Sequence, residues 1–350
     1  VERIRLVRPD FEPDRSETAA LATVCRRLGG IPLALELAAA RALAMSPIEL
    51  ARGLDDRFRL LGGGTRDAIA RQRTLEASVA WSYQLLTDVE QRCFRYLSAF
   101  PGSFTLDAAL QVCDRAVPDP ERAIVRLCIC SLLASQTGPE PRLKMTEPVR
   151  WFARERLVDS GEADDALGRQ LAWAVRAAEL LGEQLEGPDV ATALLHLDAD
   201  VDNLRAAMDW AIDHDRSADA VGILAATSWY WVWRCRIIEM ERWLKSKRVD
   251  PATLEPAVRL QLLWVTSELV GNRAGNIDDF VDEGLALARD LGDRSAEAKF
   301  LVSHSRHLAF TDPHGTIERA PGERDLCRRQ RIPFWSATSL VTEALAPTCG

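Results

Sequence analysis

Two stretches near the end of the chain, Gly275–Leu291 (GNIDDFVDEGLALARDL) and Gly315–Arg331 (GTIERAPGERDLCRRQR), share residues at a spacing of 40 positions. The identities are Gly275 with Gly315, Ile277 with Ile317, Glu283 with Glu323 and Arg289 with Arg329. A fixed period of this kind is typical of solenoids, in which each repeat is one supersecondary unit that stacks on the next. The repeat therefore predicts stacked helical hairpins.

The second copy of the repeat contains a proline. Pro321 falls where Val281 stands in the first copy. Proline inside a helix costs about 3 kcal/mol relative to alanine. We therefore expect the helix of the second copy to kink or to begin late.

The middle of the chain combines helical patterns with two short strand patterns. Thr87 and Glu90 form a capping box at the start of one helix. Helices are predicted over Leu106–Cys113 and Ala123–Leu133, and strands over 132–136 and 142–145 flank a Gly-Pro turn. Helices followed by a hairpin indicate a winged-helix-like domain.

The N-terminal part alternates and then becomes helical. Glu2–Arg8 alternates in polarity and predicts the last strand of a truncated domain, whereas Pro32 opens a predicted helix after Gly29-Gly30. The predicted fold class is therefore mostly α, with stacked hairpins as a tetratricopeptide-like superhelix. We divide the chain into the end of a nucleotide-binding domain and a helical lid (1–64), the winged-helix-like domain (65–160) and the repeats (161–350).

Composition narrows the classes of function. The 350 residues are 47% hydrophobic and 27% charged, with a net charge of −8. This hydrophobic content argues against disorder, and the acidic balance argues against free nucleic acid as the main partner. There is no apolar run of membrane-spanning length and no signal peptide pattern, so we expect a cytoplasmic protein with no membrane partner. The eight cysteines form no C-x-x-C pair and predict reduced thiols.

Several motifs occur in a characteristic order along the chain. They are LGGIPLAL (28–35), RFRLLGGG (57–64), FRYLSAFPGSF (94–104), RLKMTEPVR (142–150) and DNLRAA (202–207). In order and spacing they resemble signal-transducing ATPases with numerous domains (STAND proteins) from actinobacterial regulators of the LuxR- or AfsR-like kind. The resemblance covers nearly the whole chain.

The resemblance implies a nucleotide-controlled switch. In such proteins a P-loop module binds ATP or ADP, a lid and a winged helix close over the nucleotide, and helical repeats sense an effector or protein. Gly30, Ile31 and Pro32 match the element that contacts the nucleotide. This sequence has no G-x-x-x-x-G-K-[ST] motif, so we expect no catalytic residues and no cofactor in this chain. ATP or ADP, the P-loop domain and slow ATPase activity would belong to the parent protein.

A phosphate-sensing position is also implied. Met145-Thr146-Glu147 stands where relatives carry Met-His-Asp, whose histidine reaches the phosphates. Thr146 or Arg150 could take over that role here. The alternative is that Thr146 only caps a helix.

The repeat region contains a dense group of aromatic residues. Trp229, Trp231 and Trp233 lie too close together to share one helical face, so some belong to the core and some could line a ligand or peptide groove. His304 and His307 are one turn apart, but no third ligand has metal-site spacing, so we predict no metal.

Two functions of different class remain. The first is a regulatory interaction segment of an ATP-dependent transcriptional regulator, in which the repeats bind an effector or partner and DNA is reached only through another domain. The alternative is direct DNA binding by the winged helix, through Arg122 and Arg126 on its third helix. The apolar end of that helix favours burial and hence the first function.

Overall fold

The computed structural model describes residues 1–28, 32–43, 45–52, 67–136, 138, 140–245, 249–273, 275–309 and 311–346. The chain divides into two compact units, Val1–Gln170 and Leu171–Gly350. The described ranges are predominantly helical, so the predicted mostly α fold is confirmed. The finer division into three functional parts stays a prediction.

Within its described ranges the first unit consists of helices and one hairpin. They are α1 (Glu2–Val7), α2 (Arg15–Arg27), α3 (Pro32–Ala40), α4 (Asp67–Gln84), α5 (Asp88–Leu97), α6 (Leu106–Cys113), α7 (Pro120–Ile129), β1 (Ala134–Gln136), β2 (Arg142–Lys144) and α8 (Glu147–Asp159). Arg41–Leu43 forms a 3-10 turn, and residues 47–52 are also helical.

The strand predicted over Glu2–Arg8 is wrong, because Glu2–Val7 is a helix. An isolated strand needs a partner for its backbone groups, and none of the described residues pairs with this segment. A helix satisfies those groups internally. It also buries Ile4 in a core that includes Phe11, Val24 and Leu28.

The predicted hairpin is present between α7 and α8. Ser135 lies opposite Leu143 in an antiparallel register, and Phe104 forms an additional antiparallel bridge with Leu143. Helix α7 ends at Ile129, earlier than predicted, because Ser131 has a left-handed φ of 55° that a helix cannot accommodate. The capping box of Thr87 and Glu90 is confirmed at the start of α5.

Helix α9 (Ala163–Leu185) contains the boundary between the units, and the second unit continues with helices only in its described ranges. They are α10 (Val190–Asp213), α11 (Ser217–Ala226), α12 (Ser228–Trp233), α13 (Ile237–Leu244), α14 (Pro256–Gly271), α15 (Asp278–Leu291), α16 (Arg294–Leu308), α17 (Pro313–Arg329) and α18 (Pro333–Leu345), with a 3-10 turn at Pro251–Thr253.

Each helix from α14 to α18 packs against the next, as stacked hairpins require. Gly292 ends α15 with a left-handed φ of 70°, a conformation that glycine adopts without steric cost. Val281, Ala288 and Phe300 are buried in the core between α15 and α16. The predicted stacked helical hairpins are confirmed.

Pro321 lies inside α17, which begins at Pro313, so the helix does not begin late. Proline removes one N–H donor from the helix. Pro321 is exposed, so it lies on the solvent side of α17. There, water can donate a hydrogen bond to the helix carbonyl group that lacks its usual N–H partner.

None of the described helices is long and apolar enough to cross a membrane. Within the described ranges, no group of three His, Cys, Asp or Glu side chains is arranged to hold a metal ion.

Candidate functional site

The second unit contains a groove with a volume of about 660 Å³ between α9, α11, α14 and α16. This volume lies within the range of small-molecule sites in proteins. We call it the repeat groove.

Two glycines shape the repeat groove. A Cβ atom on Gly182 of α9 would lie 2.4 Å from the carbonyl oxygen of Ala226, so this glycine lets α9 approach the end of α11 closely. Gly222 on α11 is different, because a Cβ atom there would meet only Gln261, at 3.9 Å. Of these two glycines, only Gly182 is required by the packing, because a side chain at that position would clash with Ala226.

One side of the repeat groove is aromatic and consists of Trp229, Trp264 and Phe300. The Trp264 and Phe300 rings meet edge to face, with centroids 5.6 Å apart. Fully buried Trp335 lies behind them, 5.2 Å from Trp264 and 5.7 Å from Trp229. These rings support one another and form a rigid apolar surface.

The repeat groove is also lined by carboxylates from α9 and from the residue that follows it. Glu179 and Glu183 are exposed and form no ion pair with any described residue, whereas Glu186 accepts a hydrogen bond of 2.9 Å from Lys299. Sequence analysis missed these acids. Their spacing of four and three residues, which puts them on one helical face, is the signal that could have revealed them.

An ion pair between Arg306 and Glu268 lies next to the aromatic side of the groove. The guanidinium of Arg306 lies 5.3 Å from the centroid of the Trp229 ring and donates a hydrogen bond of 2.7 Å to Glu268. Glu268 is only 1% exposed. Burial alone would raise its pKa, but His307, Arg306 and Ser303 outweigh burial and hold the pKa of Glu268 below its ordinary value.

The three tryptophans predicted for a groove have different surroundings. Trp229 lines the repeat groove, and its buried indole N–H has no acceptor among the described residues. Trp231 is fully buried and donates a hydrogen bond of 2.9 Å to Thr227, so it belongs to the core. Trp233 is 39% exposed and lies outside the groove lining, although its ring contacts Trp229. Core packing, the first expectation for these aromatic residues, therefore applies to Trp231.

The predicted sensor residues lie at the start of α8. Thr146 is the N-cap residue but its side chain makes no capping hydrogen bond, and its hydroxyl is buried without a partner among the described residues. Arg150 and Arg154 follow at intervals of one turn, and neither forms an ion pair within the described part of the chain. Burial and the charge of Arg150 lower the pKa of Arg154.

Thr146 and Arg150 thus lie at the N-terminal end of α8, near the positive end of the helix dipole, and Arg154 follows one turn further along the same face. Such an arrangement can bind an anion, and phosphate is one that fits its chemistry. Arg154 was not among the predicted residues, and its position four residues after Arg150 is the signal for it.

The predicted nucleotide-contacting element cannot be followed in full. Gly30 and Ile31 lie outside the described residues, and Pro32 is the first residue of α3. The helix start that the sequence predicts at Pro32 is confirmed.

The residues of the DNA-binding alternative lie on α7. Arg122 is exposed and Arg126 is half-buried. Leu127 is buried, as the apolar end of the helix predicts, but Ile129 is 40% exposed. Burial of this helix end is therefore only partial.

The histidine pair on α16 has ordinary polar partners. His304 lies 2.9 Å from Asp278, and His307 accepts a hydrogen bond of 2.9 Å from Arg306.

Comparisons with known proteins point to bacterial regulators. No family model matches the chain. It is 35% identical over 318 residues to a protein named "Putative HTH-type transcriptional regulator" in Mycobacterium tuberculosis and Mycobacterium bovis, which covers 86% of this chain. It is also 36% identical over 181 residues to an uncharacterized protein of Mycobacterium tuberculosis, which covers 48% of this chain and 44% of that protein.

The chain spans 36% of the length of the mycobacterial regulator. Among solved structures, a STAND protein with a tetratricopeptide repeat sensor from Pyrococcus horikoshii matches 89% of this chain and 56% of that protein at 15% identity, with a TM-score of 0.34. The chain is thus related in sequence to proteins named as transcriptional regulators.

Proposed function

We propose that this chain is the regulatory and interaction segment of an ATP-dependent transcriptional regulator of the STAND kind. The helical repeats bind an effector or partner, and that binding is coupled to the nucleotide state of a P-loop domain in the parent protein. ATP or ADP belongs to that domain, and DNA is contacted by a separate output domain of LuxR- or AfsR-like type. Within this proposal the protein works in the cytoplasm and this segment catalyses nothing.

The repeat groove is the observation that carries the proposal. It combines an aromatic side, an acidic side and a volume suited to a ligand, all on stacked helices. Helical repeats commonly use such concave surfaces for binding. The name of the mycobacterial relative supports the link to transcription.

The donors at the start of α8 support the coupling to nucleotide. Thr146, Arg150 and Arg154 could contact a phosphate group held by the P-loop domain of the parent protein. We expect the double substitution Arg150→Ala with Arg154→Ala to weaken ADP binding by the parent protein about a hundredfold or more, since each lost hydrogen bond to a charged group contributes roughly 1.5–3 kcal/mol. Lys144→Ala on β2, which removes an exposed charge nearby in sequence, is the matched control.

Calorimetric titration of ATP and ADP tests the proposal directly. We expect no binding by this chain and binding by a longer protein that includes a P-loop domain. Tight nucleotide binding by this chain alone would contradict the proposal, because it would require a complete site here.

Direct DNA binding through α7 is the second candidate, and the exposed, unpaired Arg122 among the described residues favours it. It predicts affinity for duplex DNA that falls steeply with salt. Substituting Arg122 and Arg126 with alanine should abolish that affinity. Absence of duplex binding by the unsubstituted chain would exclude this candidate.

A further inference from the structure

The repeat groove has a charge imbalance that specifies its ligand. Glu179, Glu183, Glu186 and Asp293 line it, and Lys299 is the cation among the described lining residues. Lys299 is already paired with Glu186 at 2.9 Å. The groove therefore presents unneutralised negative charge to whatever enters it.

Glu179 and Glu183 carry most of that imbalance. They lie four residues apart on α9, where like charges repel one another and weaken the helix. A bound cation would remove this repulsion. Neither carboxylate has an ion-pair partner among the described residues, so both are available to a ligand.

The aromatic side supplies a second and independent feature. Trp229 is 8% exposed, lines the groove and has an indole N–H without an acceptor among the described residues. The indole nitrogen itself has almost no accessible surface, so it is the aromatic ring and not this donor that can meet a ligand. The faces of Trp229 and Trp264 also attract cations and flat apolar groups.

We propose that the repeat groove binds a small organic cation, a compound with an apolar ring and an amine that is protonated at neutral pH. The ring packs against Trp229 and Trp264, and the ammonium group lies near Glu179 and Glu183. The inference rests on the proposed function and specifies the effector class. The volume of about 660 Å³ favours a small molecule over an extended peptide, which would need a longer groove.

Three compounds with the same ring test the charge requirement: tryptamine, the neutral tryptophol and the anion indole-3-propionate. Binding to the whole chain is followed by the NMR resonances of its tryptophan indole N–H groups, with those of Trp229 and Trp264 assigned by substitution. We expect tryptamine to bind with a Kd on the order of a millimolar, given its size. Tryptophol should bind more weakly, and indole-3-propionate should not bind.

Two double variants locate the cation. Glu179→Gln with Glu183→Gln should weaken tryptamine about fivefold and leave tryptophol unchanged, since partly exposed ion pairs contribute roughly 0.2–1 kcal/mol each. Asp282→Asn with Glu318→Gln removes the same charge from exposed positions outside the groove and should change neither affinity. Circular dichroism spectra that match the unsubstituted chain would show that each variant is folded.

Equal binding of all three compounds, or no binding of tryptamine, would overturn the inference. Binding of the tripeptide Lys-Trp-Lys without binding of tryptamine would overturn it in favour of a basic peptide. The nucleotide titration described above does not depend on these results, so the inference can fail while the proposed function stands.

Discussion

Arg306 of α16 donates a hydrogen bond of 2.7 Å to Glu268 of α14, and the Glu268 carboxyl group is almost completely buried. The same guanidinium lies against the ring of Trp229. One ion pair thus connects two helices of the stack to the aromatic side of the repeat groove. Its partners are 38 residues apart in sequence.

Removal of the Glu268 carboxylate should destabilise the second unit. Glu268→Ala removes the carboxylate that Arg306 and Ser303 share as an acceptor, and loss of the buried partner of such a pair costs up to about 3 kcal/mol. Urea unfolding measures the change. Glu283→Ala is the control, because its ion pair with Arg259 is about half exposed and should contribute less than about 1 kcal/mol. Equal losses for the two variants would contradict the special role of Glu268.

Glu323 should make stability depend on pH. Burial raises the pKa of Glu323, although the Ser305 and Ser339 hydroxyls partly oppose the shift. Because the folded-state pKa lies above the unfolded value of about 4.3, the contribution of Glu323 is fully present below that value and is lost as pH rises through the folded-state pKa. Glu323→Gln resembles the protonated form and should keep its contribution.

The measurement is the free energy of unfolding of both proteins between pH 4 and pH 7.5. We expect Glu323→Gln to gain stability relative to the unsubstituted chain as the pH rises. Glu318→Gln, on the exposed side of the same helix, should show a constant difference. A constant difference for Glu323→Gln as well would contradict the prediction.

Two alanine substitutions in the repeat groove should have opposite effects. Gly182→Ala places a methyl group 2.4 Å from the Ala226 carbonyl oxygen, and such overpacking costs about 1–3 kcal/mol. Gly222→Ala meets only Gln261 at 3.9 Å and should stabilise α11 by about 0.5–1 kcal/mol, because glycine is unfavourable inside a helix. Thermal unfolding of the pair measures the difference. A loss of stability in both variants would mean that α11 also packs too tightly for a methyl group.

The neighbouring tryptophans should differ in importance for folding. Trp231→Phe loses the hydrogen bond to Thr227 and part of a fully buried ring, with an expected cost of about 2 kcal/mol. Trp233→Phe changes a side chain that is 39% exposed and should cost less than about 0.5 kcal/mol. Denaturant midpoints compare the two variants, and a larger loss for Trp233→Phe would show that the core is misassigned.

The sequence by itself determined the helical class and many element boundaries. The capping box of Thr87 and Glu90 and the proline at Pro32 act through neighbouring backbone groups, so local sequence is sufficient to predict them. The 40-residue period likewise predicts stacked hairpins without any knowledge of how the helices pack.

Tertiary structure decided which residues of these elements are buried and which line the groove. Glu2–Val7 alternates like a strand but is a helix, because no described segment pairs with it and Ile4 finds a buried position among other helices. Trp231 and Trp229 are two residues apart, yet one is in the core and the other lines the repeat groove. The acids of α9 line the same groove as Trp264 and Lys299 only because the helices stack. Burial and charge environment depend on residues distant in the sequence, so periodicity could predict the hairpins but not the surface that they form.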